Sequence, residues 1–229
     1  TYMYKPLSSH TSTAIVSPLL TAINTADVNT IQGTYPIKPQ FDPLAVPGSE
    51  FVGQIISSTI DSFEPGSLVI PTTIGLGACC TVLPPLPLHN FTPVSSFAPD
   101  AGLRDVEALL AVQVNPSTAF LMLKDFVTLK EQDAIILTAG RSAVASAAAQ
   151  IAKAKYGCGV VSIVRRKDMS DVEWDLETSR MKSIGSDVVL SEEEVLKTPP
   201  RKLMKERVSQ ALGEDGKVKL MLDCVQGKV

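Results

Sequence analysis

The chain has 229 residues, of which 45% are hydrophobic and 20% charged, and its formal net charge at pH 7 is -3. This composition is typical of a chain that buries a core, and the length allows one large domain or two ordinary ones. The slight negative charge gives no electrostatic basis for nucleic-acid binding, and no run approaches the ~18 apolar residues needed to cross a bilayer. The expected partners are therefore small molecules or proteins.

The sequence up to residue 113 predicts a domain built mostly from β-strands. Proline and glycine recur, and short β-branched runs lie between them: "STAIVSPLLTAI", "FVGQIISSTI" and "GSLVIPTTI". Such runs, bounded by turn residues, are typical of strands, and Glu64-Pro65-Gly66 predicts a tight turn between two of them. We therefore expect a first domain over residues 1–113.

From residue 114 the pattern changes to helices that alternate with strands. In chain order we predict a helix over 117–127, a strand over 134–137, an Ala-rich helix ending near Gly157, a strand "VVSIV", a helix over 171–183, a strand "DVVLS", a helix over 202–212 and a strand "KVKLMLDCV". Strands joined by crossover helices form a parallel, doubly wound sheet, which predicts an α/β domain over residues 114–229. A complete dinucleotide fold of this type usually has about six strands, so the sheet is expected to be incomplete at the C-terminus. This predicts a fragment, a truncated product or a chain completed by a partner.

The four cysteines do not form the pattern of a disulfide scaffold. Cys79 and Cys80 are adjacent, whereas Cys158 and Cys224 stand alone in strand-like surroundings. No C-x2-C occurs and the two histidines lie far apart, so no zinc site is expected. We expect reduced thiols in a cytosolic or matrix-like compartment.

The segment "LTAGRSAVAS" links the first predicted parallel strand to the Ala-rich helix. Free backbone N–H groups and the helix dipole at such a turn favour a nucleotide phosphate. Only Gly140 is present, however, and Ala143 and Ala145 stand where glycines would allow the closest approach to phosphate. An ordinary strand-to-helix turn is therefore an equally good interpretation of this segment.

A basic cluster follows the next predicted strand, where "VRRKD" contains Arg165, Arg166 and Lys167. An acidic residue at this place holds the ribose 2′-hydroxyl of NAD, whereas cations suit the 2′-phosphate of NADP. The cluster therefore favours NADPH over NADH, although a solvated helix start would have the same composition.

Five segments resemble those of the mitochondrial 2-enoyl thioester reductases, in the same order and most closely in the fungal branch: "INTADVNTIQGTYPIKP", "VPGSEFVG", "VNPSTAFLMLKDF", "TAGRSAVASAAAQIAKA" and "VRRKD". These are NADPH-dependent members of the medium-chain dehydrogenase/reductase superfamily. The resemblance implies a GroES-like substrate and catalytic lobe over 1–113 and the first four strands of a Rossmann NADP-binding domain over 114–229. It also implies reduction of trans-2-enoyl-CoA or enoyl-acyl carrier protein in mitochondrial fatty-acid synthesis, a matrix location and a homodimer.

The resemblance further assigns roles to residues. Hydride from NADPH would reach the β-carbon of the enoyl thioester, and Tyr35 of "VNTIQGTYP" would protonate the α-carbon. A phenol suits this role because its reference pKa of about 10 keeps it neutral at working pH. Asn29 would orient the thioester or stabilise the loop. Against the nucleotide the resemblance places Asn115, Arg141, Ser142, Ala143 and Val144, with Arg165, Arg166 and Lys167 around the 2′-phosphate.

Several residues depart from the family pattern. Gly48-Ser49-Glu50 stands where zinc dehydrogenases have Gly-His-Glu, which implies a metal-free mechanism. Phe51 adds bulk where a backbone bend is expected, Cys79-Cys80 replace residues near the pocket, and Ala145 replaces the usual serine or glycine at the phosphate turn. These departures support a second hypothesis, a catalytically impaired paralogue that acts as a structural or interaction subunit. A third is a quinone-reductase-like enzyme, in which Tyr35 would not be needed.

Overall fold

The computed structural model describes residues 12–36, 46–197, 202, 205–207, 209 and 217–223, and the structural statements below concern these residues. The chain divides into two compact units, Thr1–Gln113 and Val114–Val229. Within the described part, no single helix is long and apolar enough to cross a membrane, although Leu103–Ala111 and Val114–Asp125 meet that test as a bent pair.

The first unit is built on an antiparallel sheet of five strands in the order β4-β1-β2-β3-β5. The strands are β1 (Thr13–Thr21), β2 (Phe51–Ser58), β3 (Leu68–Pro71), β4 (Leu86–Pro87) and β5 (Phe91–Pro93). Two short helices, α1 (Thr25–Ile31) and α2 (Val106–Ala111), and three 3-10 turns accompany the sheet. The three runs predicted as strands are confirmed as β1, β2 and β3.

The turn predicted at Glu64-Pro65-Gly66 is also confirmed, and it joins β2 to β3. The backbone N–H of Ser67 donates to the Glu64 carbonyl at 3.1 Å, and Gly66 takes a φ of 90°. That φ lies in the region that glycine enters without steric cost, which explains why glycine ends the turn.

Phe51 is the first residue of β2, and its bulky side chain is buried in the core of the sheet. Its ring is 0% exposed and meets the Phe91 ring edge-on, with centroids 6.4 Å apart. Gly53 makes room for the ring, because a Cβ there would lie 2.5 Å from Val16 Cγ1 and 3.0 Å from Phe51 Cε2. The core of the sheet therefore accommodates the bulk of Phe51.

The second unit is built on a parallel sheet of four strands in the order β8-β7-β6-β9. Its elements in chain order are α3 (Val114–Asp125), β6 (Asp133–Leu137), α4 (Ala143–Tyr156), β7 (Gly159–Val164), α5 (Asp171–Ser183), β8 (Val188–Ser191), α6 (Glu192–Lys197) and β9 (Lys217–Leu222). Numbered along the chain, this is the 3-2-1-4 order with which a doubly wound dinucleotide fold begins. The predicted α/β class is confirmed. The predicted helix over 202–212 and the end of the predicted last strand, with Cys224, lie largely outside the described residues.

The two central strands are buried along their whole length, as expected for a parallel sheet covered on both faces. Small alanines let α4 pack closely on them, and Ala148, Ala149 and Ala152 are each 0% exposed. Gly157 ends α4 in the left-handed conformation with a φ of 64°, as predicted. The helix α3 begins at Val114 instead of residue 117, because Pro116 is tolerated in a first helical turn.

Candidate functional site

Tyr35 lies in a turn that the main chain of α1 holds in place. The Asn29 carbonyl oxygen accepts hydrogen bonds from the backbone N–H groups of Thr34, at 2.9 Å, and Tyr35, at 3.2 Å. It also accepts from the Thr34 hydroxyl at 3.2 Å, and Gly33 reverses the chain with a φ of 72°. Tyr35 itself is partly exposed. The turn therefore fixes the backbone of Tyr35 relative to α1, while its side chain stays partly open to solvent.

A hydrogen-bonded junction connects α1 to the start of β2. Asp27 Oδ2 accepts from the backbone N–H of Asn24 at 2.8 Å, and the Asn24 side-chain amide donates to Glu50 Oε2 at 2.7 Å. Asp27 is 4% exposed and Glu50 2%. We did not predict α1 from the sequence, although Asn24-x-x-Asp27 has the spacing of an N-terminal capping box. The junction therefore fixes the start of α1, and with it the position of the turn that contains Tyr35.

The Gly48-Ser49 segment supports the loop that contains the paired cysteines. The Gly48 carbonyl accepts from the backbone N–H of Ala78 at 3.1 Å, and a Cβ on Gly48 would lie 2.8 Å from the Cys79 nitrogen. Ser49 Oγ accepts from the Gly75 N–H at 3.1 Å. Gly48 and Ser49 thus have structural contacts, and among the described residues no group of three His, Cys, Asp or Glu is arranged to hold a metal ion.

The paired cysteines are free thiols, and so is Cys158. Burial, followed by the charge of Asp27, raises the pKa of the Cys79 thiol above its usual value. Burial also raises the pKa of Cys80, while a hydrogen bond with the backbone of Val82 opposes the shift. Both side chains are therefore protonated at neutral pH. No disulfide joins these three residues, and Cys224 lies outside the described residues.

In the second unit, the turn between β6 and α4 is packed tightly against β7. The Gly140 N–H donates to the Ile163 carbonyl at 2.8 Å. A Cβ on Gly140 would lie 3.0 Å from Ser162 Cβ and 3.1 Å from Val164 Cγ2, so a side chain here would crowd β7. Ala139 takes a φ of 47°, an uncommon conformation for a residue other than glycine. The single glycine of the turn therefore stands where close packing requires it.

Ser142 caps the N-terminus of α4. Its side chain accepts from the Ala145 N–H at 3.2 Å, which satisfies one of the N–H groups that have no partner inside a helix. Ala143 is exposed and Val144 partly exposed, whereas Ala145 is 2% exposed and packs into the core. The structure thus brings the predicted turn residues together at a helix N-terminus, which is a favourable place for an anion.

Arg141, in the same turn, forms an ion pair with α5. Its Nε is 3.5 Å from Glu177 Oε1, and Arg180 contacts the same carboxylate at 2.6 Å. The hydrogen bond from Arg180 lowers the pKa of Glu177, and the charge of Arg141 adds to this effect. Glu177 therefore positions Arg141 beside the start of α4.

The three cations predicted after β7 lie together at the carboxyl end of that strand. Arg165 Nε is 3.2 Å from Glu192 Oε2, and Arg166 forms a close ion pair with Asp171. The Arg166 guanidinium also lies over the Trp174 ring, 5.3 Å from its centroid. Lys167 is exposed. The sequence interpretation missed these partners, since they come from elements that only the fold brings next to β7.

A polar pair at the ends of β6 and β9 was also missed. Thr138 donates from its hydroxyl to Asp223 Oδ1 at 2.7 Å, and its N–H donates to the Leu222 carbonyl at 3.0 Å. In the order β8-β7-β6-β9, the chain runs outward from β6 to β8 and then returns to the other side of β6 as β9. In a doubly wound sheet, ligands bind outside the carboxyl ends of the strands at the point where the strand order reverses in this way. Each residue directly follows an apolar strand, a signal that could have identified the pair.

Asn115 lies in the first turn of α3.

Comparison with known proteins identifies relatives of both units. No family model matches the chain. The "Enoyl-[acyl-carrier-protein] reductase, mitochondrial" of Xenopus tropicalis is 35% identical over 216 residues, which are 93% of this chain and 55% of that protein. The mitochondrial 2-enoyl thioester reductase Etr1p/Etr2p heterodimer from Candida tropicalis matches 95% of this chain and 61% of its own, with a TM-score of 0.78 and 29% identity. An Etr1p/NADP/crotonyl-CoA complex matches 98% of this chain and 64% of its own, with a TM-score of 0.78 and 27% identity.

The chain thus spans 55% of the length of the curated relative and 61% and 64% of the two solved chains. The match extends across both units, since it covers 93% or more of this chain in all three comparisons. By sequence and fold together, the chain is similar to mitochondrial enoyl thioester reductases across both of its units.

Proposed function

We propose that this chain carries out NADPH-dependent reduction of trans-2-enoyl thioesters, as enoyl-CoA or enoyl-acyl carrier protein, in mitochondrial fatty-acid synthesis. The observation that carries the proposal is the cluster of Arg165, Arg166 and Lys167 at the carboxyl end of β7, in a sheet of 3-2-1-4 order. Cations at this place suit a 2′-phosphate. The relatives supply the reaction, since one is named an enoyl reductase and another is a complex with NADP and crotonyl-CoA.

We assign the two units different parts of this task. Residues 1–113, with the antiparallel sheet and Tyr35, would form the GroES-like substrate and catalytic lobe. Residues 114–229, with the parallel sheet and the cations, would form the NADP-binding domain. Each assignment rests on the chemistry of the side chains that the unit contains.

The residues present fit a phosphorylated dinucleotide. The absence of a side chain at Gly140 lets the β6–α4 turn pack on β7. Arg141, Ser142, Ala143 and Val144 at the start of α4 would hold the pyrophosphate, Asn115 would contact the nucleotide, and Arg165, Arg166 and Lys167 would hold the 2′-phosphate. When bound, NADPH supplies the hydride that adds to the β-carbon of the thioester.

Tyr35 would complete the reduction by donating its phenolic proton to the α-carbon. The phenolate that remains would take a proton back from solvent, so the side chain is restored after each turnover. Asn29 would orient the thioester, and its carbonyl already holds the Tyr35 turn. With Gly48-Ser49-Glu50 in place of a histidine ligand motif, this proposal assigns no step to a metal.

We also propose a matrix location and a dimer. Support for the location comes from the word mitochondrial in the names of the relatives. Support for a dimer comes from the Candida tropicalis structure, which is a heterodimer. For this chain, pairing with a second copy is the simplest arrangement.

Oxidation of NADPH by the purified chain in the presence of crotonyl-CoA tests the proposal directly. We expect consumption of NADPH that requires the thioester, and a slower reaction with NADH at equal concentration. A chain that neither binds NADPH nor oxidises it would refute the proposal. Binding without oxidation would instead favour the impaired-paralogue hypothesis.

A further inference from the structure

Two of the three cations after β7 are already paired with carboxylates of this chain. Asp171 contacts Arg166, and Glu192 contacts Arg165 at 3.2 Å. Lys167 forms no ion pair with any described residue. Two of the three positive charges are therefore paired with carboxylates of this chain. These two ion pairs already neutralise most of the positive charge that a 2′-phosphate would meet.

We propose that Asp171 is a specificity-determining residue that competes with the 2′-phosphate for Arg166 and so weakens the preference for NADPH over NADH. This inference rests on the proposed function, because it concerns the same nucleotide site. A carboxylate and a phosphate both accept hydrogen bonds from the planar guanidinium group, and they use the same N–H donors. While Asp171 occupies Nη2 of Arg166, a phosphate has fewer N–H donors of that guanidinium to bind.

The position of Asp171 makes it the replaceable partner. Its side chain is 93% exposed, so it can turn into solvent when a phosphate arrives, whereas the Glu192 side chain is 19% exposed and is held by its surroundings. Asp171 is the first residue of α5, where the helix dipole stabilises its negative charge without needing Arg166.

Trp174 keeps Arg166 in place when the ion pair opens. The guanidinium lies 5.3 Å from the centre of the indole ring, and the Arg166 side chain is 36% exposed. A cation over an aromatic face is attracted to it independently of the carboxylate. Loss of Asp171 should therefore leave the guanidinium on the ring and free its N–H donors for phosphate.

The test is calorimetric titration of the full chain with three probes: adenosine 2′,5′-bisphosphate, NADPH and NADH. In Asp171→Asn we expect affinity for the two probes with a 2′-phosphate to rise about two- to five-fold, the range that an exposed ion pair supports. NADH affinity should not change. Asp175→Asn is the matched control, because it removes the same charge from an exposed residue one turn further along α5.

The result that overturns the inference is an Asp171→Asn chain with the 2′-phosphate affinity of Asp175→Asn, or lower. If the wild-type chain binds NADPH in that case, the proposed function stands and only the role of Asp171 fails. If no variant binds NADPH or the bisphosphate, both the inference and the proposed nucleotide site are refuted. Trp174 is the single tryptophan, so its fluorescence in the free variants verifies that the ring is still in its folded environment.

Discussion

Gly140→Ala should both destabilise the second unit and impair the β6–α4 turn. The added Cβ would lie 3.0 Å from Ser162 Cβ, 3.1 Å from Val164 Cγ2 and 3.2 Å from Met181 Cε. Met181 can move the end of its flexible side chain, but Ser162 Cβ is attached directly to the backbone of β7. The turn must therefore move away from β7, or β7 itself must shift.

Overpacking of this kind typically costs about 1–3 kcal/mol. No backbone strain adds to this figure, because Gly140 does not have a positive φ. We expect that loss in the free energy of unfolding of the second unit, measured by urea denaturation and followed by the fluorescence of Trp174. Because the displaced turn leads into α4, affinity for NADPH should fall in the same variant.

Gly102→Ala, in the first unit, controls for the exchange of glycine for alanine without crowding, since a Cβ at Gly102 would meet no atom within 4 Å. It should unfold within about 0.5 kcal/mol of the wild-type chain, as surface substitutions usually do. If Gly140→Ala unfolds at the same urea concentration as Gly102→Ala, the close packing of the turn on β7 does not limit this position and the reasoning is wrong.

Two further predictions concern the first unit and the thiols. Phe51→Ala should destabilise the first unit by about 3–5 kcal/mol, because it empties a buried aromatic site. Phe97→Ala, at a 51% exposed position, is the control and should cost far less. Hydrogen exchange of peptides from β1, β2 and β3 measures both losses of stability, and equal losses would contradict the account. Because burial raises the pKa of Cys79 and Cys80, iodoacetamide should alkylate them slowly near neutral pH and faster as pH rises, as mapped by mass spectrometry. Rapid alkylation of Cys79 at neutral pH would show that its thiolate is stabilised instead.

Elements with a strong local pattern could be predicted from the sequence. The strands β6 and β7 are short apolar runs between helices, and Gly157 marks a left-handed helix end. The helix α1 was missed, because its seven residues carry no apolar stripe and the signal lies in the Asn24 and Asp27 capping positions. Local pattern thus predicts elements that form apolar runs between turn residues and misses those held by a few polar contacts.

The partners of the site residues could not be predicted for a different reason. Arg166 contacts Trp174 and Asp171 after a turn in which Asp168 takes a φ of 66°. The residue types in the run "VRRKD" do not predict the geometry of this turn. Thr138 and Asp223 are separated by 85 positions and meet only because β6 and β9 are neighbours in the sheet. Residue types could be read from the sequence, whereas the charge balance of the cluster depends on the fold.

The measurement that tests the central claim most directly is the turnover of crotonyl-CoA by Tyr35→Phe, compared with Tyr156→Phe. Removing the proton donor should lower kcat by about 10²–10⁴-fold, the usual contribution of a positioned acid, while affinity for NADPH stays unchanged. Tyr156→Phe removes a hydroxyl at the end of α4 and should keep wild-type activity. A Tyr35→Phe chain that reduces crotonyl-CoA as fast as wild type would contradict the assignment of Tyr35 as the proton donor.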